Sequence, residues 1–489
     1  MIDARFTGGP EAALHLRGSG VAPAAVVLAG PRARVRADVV AEGETWAATL
    51  PLRAARWGGP ELPLPTGDYE IRTDDDGVGI HPADVPVAVL GRLRAGIEDG
   101  RVVIGPPVDL AFETAEARQA LEARYVSQRA PLENAVFFES FYGRNAGDNP
   151  RAIDRELHRV APGVTRYWSV VDASIDVPSG AVAVIENTPE WWRARGVARL
   201  LVVNDWLRRR FVRRPGQVVL QTWHGTPLKR LALHRPGFDP RRMLAVLRES
   251  RRWDVLLAQN PYGARVLGRA YAFRRRPIWV EGYPRTDALT GRAASEDRRL
   301  AARRSLGIDA DARVLLYAPT WRDDRQTLVD FLDLPALARA ADAVVLVRGH
   351  SRTLLPGADE CGTRVLDVTG HPDLAALQLA SDALITDYSS VMFDYSVTGK
   401  PMYFFAPDLE HYRGELRGFY FDLAENAPGP VVSTQDDLVG ALAEGPERYA
   451  QRFGERYDRW RKRFNDRDDG RSAERVVARI LDRGFVSRD

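Results

Sequence analysis

Apolar and polar residues alternate in short runs over the first 128 residues, as in Ala33-Arg-Val-Arg-Ala-Asp-Val-Val40 and Asp68-Tyr-Glu-Ile-Arg72. Gly-Pro, Pro-Thr-Gly and Asp-Asp-Gly turns break these runs. A period of two sends alternate side chains to opposite faces of a strand, so residues 1–128 are expected to form an antiparallel β-sandwich-like domain. Nothing in it has the look of catalytic chemistry. It suits glycan or membrane binding, or covering another domain.

From Asn134 the pattern changes to strands alternating with helices, which is how a parallel sheet reads. The expected strands are 135–138, 181–185, 200–203, 218–222, 255–258 and 278–281. The Ala- and Arg-rich segment 290–311 reads as a helix and a crossing to a second unit. That unit repeats the pattern at 314–318, 344–347, 383–386 and 402–405, and the spacing of 472–481 predicts a closing helix. The fold class is therefore α/β, with the chain divided into 1–128, 129–289 and 290–489.

Two strand ends carry the chemistry. Gln221-Thr-Trp-His-Gly-Thr-Pro-Leu-Lys-Arg230 and Ala383-Leu-Ile-Thr-Asp-Tyr-Ser-Ser390 each pass abruptly from an apolar run to small, polar and ionisable residues. Ligands of open parallel sheets bind at the carboxyl ends of strands, so two such ends suggest two sheets facing one cleft. In the first stretch, His224 can accept a proton from a hydroxyl, and Gly225 lets backbone come close to a ligand. In the second, Ser389 and Ser390 open a helix bounded by Gly399 and Pro401, and the free N–H groups of such a start suit a phosphate. Asp394 lies one turn further on, where a carboxylate can hold ribose hydroxyls.

Other strand ends are expected at the same edge. Thr320 and Arg322 follow one strand as candidates for phosphate or base, with Trp321 stacking or packing. Arg348 and His350 follow another, and they alternate in direction, which favours His350 for the cleft. Arg285 and Asp287 either line the cleft or pair to fix the interdomain turn, and the pairing is favoured. Trp223 and the Trp191-Trp192 pair read as packing residues.

Composition changes this picture little. At 489 residues, 45% hydrophobic and 28% charged, the chain is an ordinary soluble protein of two or three domains. A net charge of +3 does not call for nucleic acid. Arginines do cluster at 208–210, 213–214, 251–252 and 274–276, which makes either a basic face for phosphates or an anionic membrane, or a solvated helix surface. Of 69 basic residues only Lys229, Lys400 and Lys462 are lysines. The single cysteine, Cys361, excludes an internal disulfide and reads as inert. No secretory signal and no run of membrane-spanning length is visible, so a cytoplasmic protein, at most peripheral to the membrane, is expected.

Taken together, these stretches resemble the CDP-glycerol glycerophosphotransferase family, bacterial enzymes that build teichoic-acid-type poly(polyol phosphate) chains. The resemblance covers roughly 134–480. Its most specific part is Ile385-Thr-Asp-Tyr-Ser-Ser-Val-Met-Phe-Asp-Tyr-Ser396 with Gly399-Lys-Pro401 and Arg417-Gly-Phe-Tyr-Phe-Asp422. Phe138-Glu-Ser-Phe141, Asp148-Asn-Pro150, Trp223-His-Gly-Thr226, Tyr317-Ala-Pro-Thr320, Phe464-Asn465 and Asp469-Gly470 fit the same order.

The resemblance implies a GT-B architecture, two Rossmann-like domains facing a cleft. It implies His224 as base toward an acceptor hydroxyl and His350 as an aid at the donor pyrophosphate, although Ser351 stands where the family has proline. Ser389 and Ser390 would hold the CDP phosphates and Asp394 the ribose. Gly225, Thr226, Thr320, Arg322, Arg348 and Asp387 complete the expected substrate-binding set. The implied donors are CDP-glycerol or CDP-ribitol and the acceptor a lipid-linked glycan at the inner face of the membrane, with CMP released and neither cofactor nor metal required. A nucleotide-sugar transferase or epimerase on the same scaffold, or a silent glycan-binding protein, are the alternatives.

Overall fold

A computed structural model describes residues 2–75, 77–320, 331–349 and 364–488. Two compact units divide the chain: Met1–Ala146 with Thr165–Ala198, and Gly147–Val164 with Arg199–Asp489.

In the first unit, a four-stranded and a six-stranded antiparallel sheet form the N-terminal domain. Strand Thr45–Pro51 alternates buried and more exposed positions along its length, as a sheet with one wet face must. Leu14, Leu16, Val26, Leu28, Trp46, Leu50, Tyr69 and Ile71 meet in its core. The same unit holds three parallel strands, Glu133–Glu139, Thr165–Val170 and Val182–Ile185. Trp191 and Trp192 are core residues here: Trp191 Nε1 donates to Ser169 Oγ at 2.8 Å, and Trp192 packs on Tyr125.

The second unit contains two sets of parallel strands. Strands ending at Val203, Gln221, Ala258 and Val280 form one set. The other runs in the order Val365–Asp367, Val344–Val347, Val314–Ala318, Ala383–Thr386, Met402–Phe405 and Val431–Val432. Val314–Ala318 and Ala383–Thr386 are buried throughout, because helices cover both faces of a parallel sheet. The 3-10 turn Pro284–Leu289 and helix Glu296–Ser305 carry the chain from one set to the other. Helix Ser472–Asp482 closes the unit, as its spacing predicted. The α/β, GT-B-type fold class expected from the sequence is the one found.

Among the described residues, three strands of the parallel sheets were not legible. Val365–Asp367 and Val431–Val432 are too short to establish a period. Thr165–Val170 hides behind Arg166, a buried guanidinium that donates to the carbonyl of Ser179 at 2.8 Å.

Lys400 has a structural task. Its Nζ donates to the carbonyls of Gln378, Leu379 and Ser381 at 3.2, 2.9 and 2.5 Å, satisfying the end of helix Leu374–Ala380. Lys400→Met leaves those carbonyls without their cation and is expected to destabilise the second unit by about 2 kcal/mol. Thermal denaturation checks this; an unchanged melting temperature would remove the cap from the account.

Candidate functional site

The site is built within the second unit, where the loop after strand Val218–Gln221 meets the turn after strand Ala383–Thr386. Trp223 takes a left-handed conformation, φ 53°, and its N–H donates to Gln221 Oε1 at 2.9 Å. A non-glycine residue held there is strained and persists only where its surroundings over-determine it. The turn stacks the Trp223 ring on His224, with centroids 4.6 Å apart. His224 Nδ1 lies 2.6 Å from the carbonyl oxygen of Asn204. A carbonyl can only accept, so Nδ1 carries the proton and the neutral ring has its lone pair at Nε2.

Gly225 comes next, and its hydrogen is required. A Cβ there would lie 2.6 Å from Ser390 Oγ and 2.8 Å from Ser390 Cβ. The two stretches singled out in the sequence are therefore in contact. Ser389 and Ser390 precede helix Val391–Tyr395, whose start no side chain caps. The segment continues through a 3-10 turn to Gly399, left-handed at φ 74°. The far end of the His224 loop is pinned too: Arg230 N–H donates to the Gly418 carbonyl at 2.9 Å, and Tyr420 N–H to that of Leu228 at 2.8 Å.

Asp387 is buried and ties two strand ends together, its Oδ1 accepting from the N–H groups of Thr320 at 2.8 Å and Tyr388 at 2.5 Å. Thr320 Oγ1 accepts from Lys229 Nζ at 3.4 Å, which sets a cation at this edge. Thr226 points inward, donating to Gln259 Oε1 at 2.6 Å and accepting from Asn260 Nδ2 at 3.1 Å. Arg348 donates to the carbonyls of Val368 and His371, at 3.2 and 2.9 Å, and burial lowers its guanidinium to about 10. His371 beside it is lowered to about 4 by burial and by that cation. Arg322, Trp321, His350, Ser351 and Cys361 lie outside the described residues.

Asp394 is 4% exposed, and its Oδ2 accepts from Arg285 at 2.7 Å. The carboxylate read as a ribose ligand thus faces a guanidinium inside the protein. Arg285 also donates to Asp148 Oδ2 at 2.6 Å. Burial pushes the Asp394 carboxyl up to about 7; Arg285 opposes the shift and the charge of Asp148 adds to it. The expected Arg285–Asp287 pair is replaced by two separate devices. Asp287 accepts from the N–H groups of Ser472 and Ala473, at 2.9 and 2.8 Å, and so anchors the closing helix.

Sequence reasoning missed the polar residues that join these parts. Asn149 Nδ2 donates to the carbonyls of Thr222 and Trp223, at 3.4 and 3.2 Å, and its Oδ1 accepts from the Arg285 N–H at 3.2 Å. Asp468 accepts from Gln259 and Asn465, at 2.8 and 2.9 Å, and from the Tyr283 N–H at 3.1 Å. The only signal for either was the Asp148-Asn-Pro150 and Phe464-Asn465 motifs. Among the described residues no group of three side chains could hold a metal ion, and no helix is long and apolar enough to cross a membrane.

Two sets of parallel strands carried on one chain, with the loop at Gly225 against Ser390, make a framework of the GT-B transferase type. Residues 123–482 match the family described as CDP-glycerol:poly(glycerophosphate) glycerophosphotransferase, and the chain belongs to that family. It is similar to a teichoic acid glycerol-phosphate transferase of Staphylococcus aureus, 35% identical over 72% of this chain and 94% of that protein. A teichoic acid poly(glycerol phosphate) polymerase of Bacillus subtilis is 36% identical over 73% of this chain but only 50% of its own length. The solved structure of the wall teichoic acid polymerase TagF superposes with a TM-score of 0.68 at 32% identity, covering 75% of this chain and 93% of that one.

The buried acid makes a pH prediction. With a folded pKa of about 7 against an ordinary 3.8, Asp394 holds its proton more tightly when folded. The stability this gives is complete at low pH and is lost as pH rises toward 7. The melting temperature of wild type relative to Asp394→Asn is therefore expected to fall between pH 5 and pH 8. Parallel curves for the two proteins would contradict it.

Proposed function

We propose that the chain transfers glycerol phosphate from CDP-glycerol to a hydroxyl of a lipid-linked glycan or polyol-phosphate acceptor in teichoic-acid-type polymer synthesis, releasing CMP. Family membership supports the reaction class. The observation that carries the site is the contact of Gly225 with Ser390, which sets the His224 loop against a helix start.

In this reading His224 Nε2 takes the acceptor hydroxyl's proton while the oxygen forms a bond to the phosphorus bearing the glycerol. The bond from that phosphorus to the bridging oxygen breaks, and the electron pair leaves with CMP. Backbone N–H groups at Ser389 and Ser390 and the Lys229 ammonium meet the negative charge, and holding the reactants in line does most of the rest. The family resemblance implies a role for His350 at the pyrophosphate, and Arg322 is a candidate to bind phosphate or base; both lie outside the described residues. Asp387 and Thr320 shape the strand ends; Thr226 and Arg348 act by holding the loops around them.

The acceptor is lipid-linked in this reading, so the protein works at the inner face of the membrane. Phe238 is 84% exposed and Leu244 46%, with Met243 beside them and exposed Arg241 and Arg248 on the same helix, Pro240–Ser250. Apolar side chains flanked by arginines fit an anionic bilayer surface.

Purified protein offered CDP-glycerol, CDP-ribitol and UDP-sugars with a lipid-linked acceptor is expected to release CMP from CDP-glycerol. Release of UDP with both CDP-polyols inert would overturn the assignment in favour of sugar transfer. His224→Gln is expected to lower turnover at least ~100-fold with CDP affinity retained; normal turnover in that variant removes it as the base. Sedimentation with phosphatidylglycerol vesicles is expected to carry the protein down at low salt and less in Phe238→Glu/Leu244→Glu. Equal recovery in the supernatant for both proteins would remove the membrane face.

A further inference from the structure

The motif Asp148-Asn-Pro150 has no part in the transfer step as described, yet it sits at a mechanical junction. Asp148 and Trp223 are both non-glycine residues in the left-handed region, φ 62° and 53°. Such strain is retained where something holds it. The Asn149 side chain spans the two: it follows Asp148 in the chain, and its amide donates to the carbonyls of Thr222 and Trp223 immediately before His224. Its Oδ1 takes the Arg285 N–H, and the Arg285 guanidinium grips Asp148 on one side and Asp394 on the other. Asp394 lies on the helix that opens after Ser390. An unbroken path of polar contacts thus runs from the His224 turn to the helix start opposite it. Asp394 Oδ1 and Arg285 Nε make no other hydrogen bond, so the path has no competing branch at those atoms.

We propose that Asn149 is a positioning residue for transfer: through Arg285 and Asp394 it fixes the His224 turn in register with the helix opening at Ser390. The inference rests on the transferase reading for its effect on rate, but not for its effect on the His224 ring. Displacing a reacting group by about 1 Å costs on the order of 100-fold in rate without loss of substrate binding. Removal of either end of the path therefore acts on kcat and spares donor affinity.

The test compares wild type, Asn149→Ala, Asp394→Asn and the double variant. Asn149→Asp, of equal size but without the two N–H donors, replaces the first if it does not fold. The ring signals of His224 are followed by NMR of protein labelled at histidine Cε1, assigned with His224→Gln, in the absence of substrate. Both single variants are expected to move the His224 signal, Asp394→Asn without touching any group bonded to His224. A signal at its wild-type position in Asp394→Asn overturns the relay whatever the enzyme's substrate. With CDP-glycerol, each single variant is expected to lose roughly 100-fold in kcat with CDP affinity within about 3-fold. The double variant is expected to be no slower than the slower single. Losses that multiply would make the two residues independent and overturn the relay, whereas absence of wild-type turnover counts against the proposed reaction and leaves the NMR result to decide this one.

Discussion

The Arg285 guanidinium, largely enclosed between the carboxyl groups of Asp148 and Asp394, is the interaction on which the second unit depends. Drawing ionisable groups away from water is costly, and their mutual attraction offsets that cost only with good geometry. Removing one partner of such a group typically costs about 3–5 kcal/mol, because the others remain buried and uncompensated. The arginine lies in the 3-10 turn that leads from one set of parallel strands to the other. Its two acids come from a helix that precedes the first set's His224 strand and from a helix of the second set. A covalent crossing alone would leave the two halves free to shift; a charged bracket with a required geometry does not.

What the bracket holds together is small and specific. A carbonyl fixes the tautomer of His224, a left-handed tryptophan turns it outward, and a missing Cβ at Gly225 admits Ser390. None of these features is catalytic by itself. Together they set an imidazole-bearing loop against a helix start, the arrangement that the proposed phosphoryl transfer uses.

Much of this was legible in the sequence for a physical reason. Strands buried on both faces read as short apolar runs, and the runs at 314–318, 344–347, 383–386 and 402–405 coincide with strands. Ser389, Gly399 and His224 stood out because the residues at those strand ends differ in kind from the runs before them. The bracket itself was not legible. An arginine that pairs in the interior has the same composition as one on the surface, so Arg285 was assigned the wrong partner, Asp287. The Asp148-Asn-Pro150 motif marked Asn149 without showing its contacts, because its partners lie 73, 74 and 136 residues away. Within the arginine clusters, Arg252 and Arg276 also donate to the backbone carbonyls of Leu207 and Arg251, at 2.8 and 2.9 Å, partners that their spacing in the chain does not indicate.

The most direct measurement is a crystal structure of the protein with CDP-glycerol bound. The account predicts the paired phosphates against the backbone at Ser389 and Ser390, with the glycerol-bearing phosphorus facing His224 Nε2. A donor lodged at another strand edge, or with that phosphorus turned away from the imidazole, would contradict it.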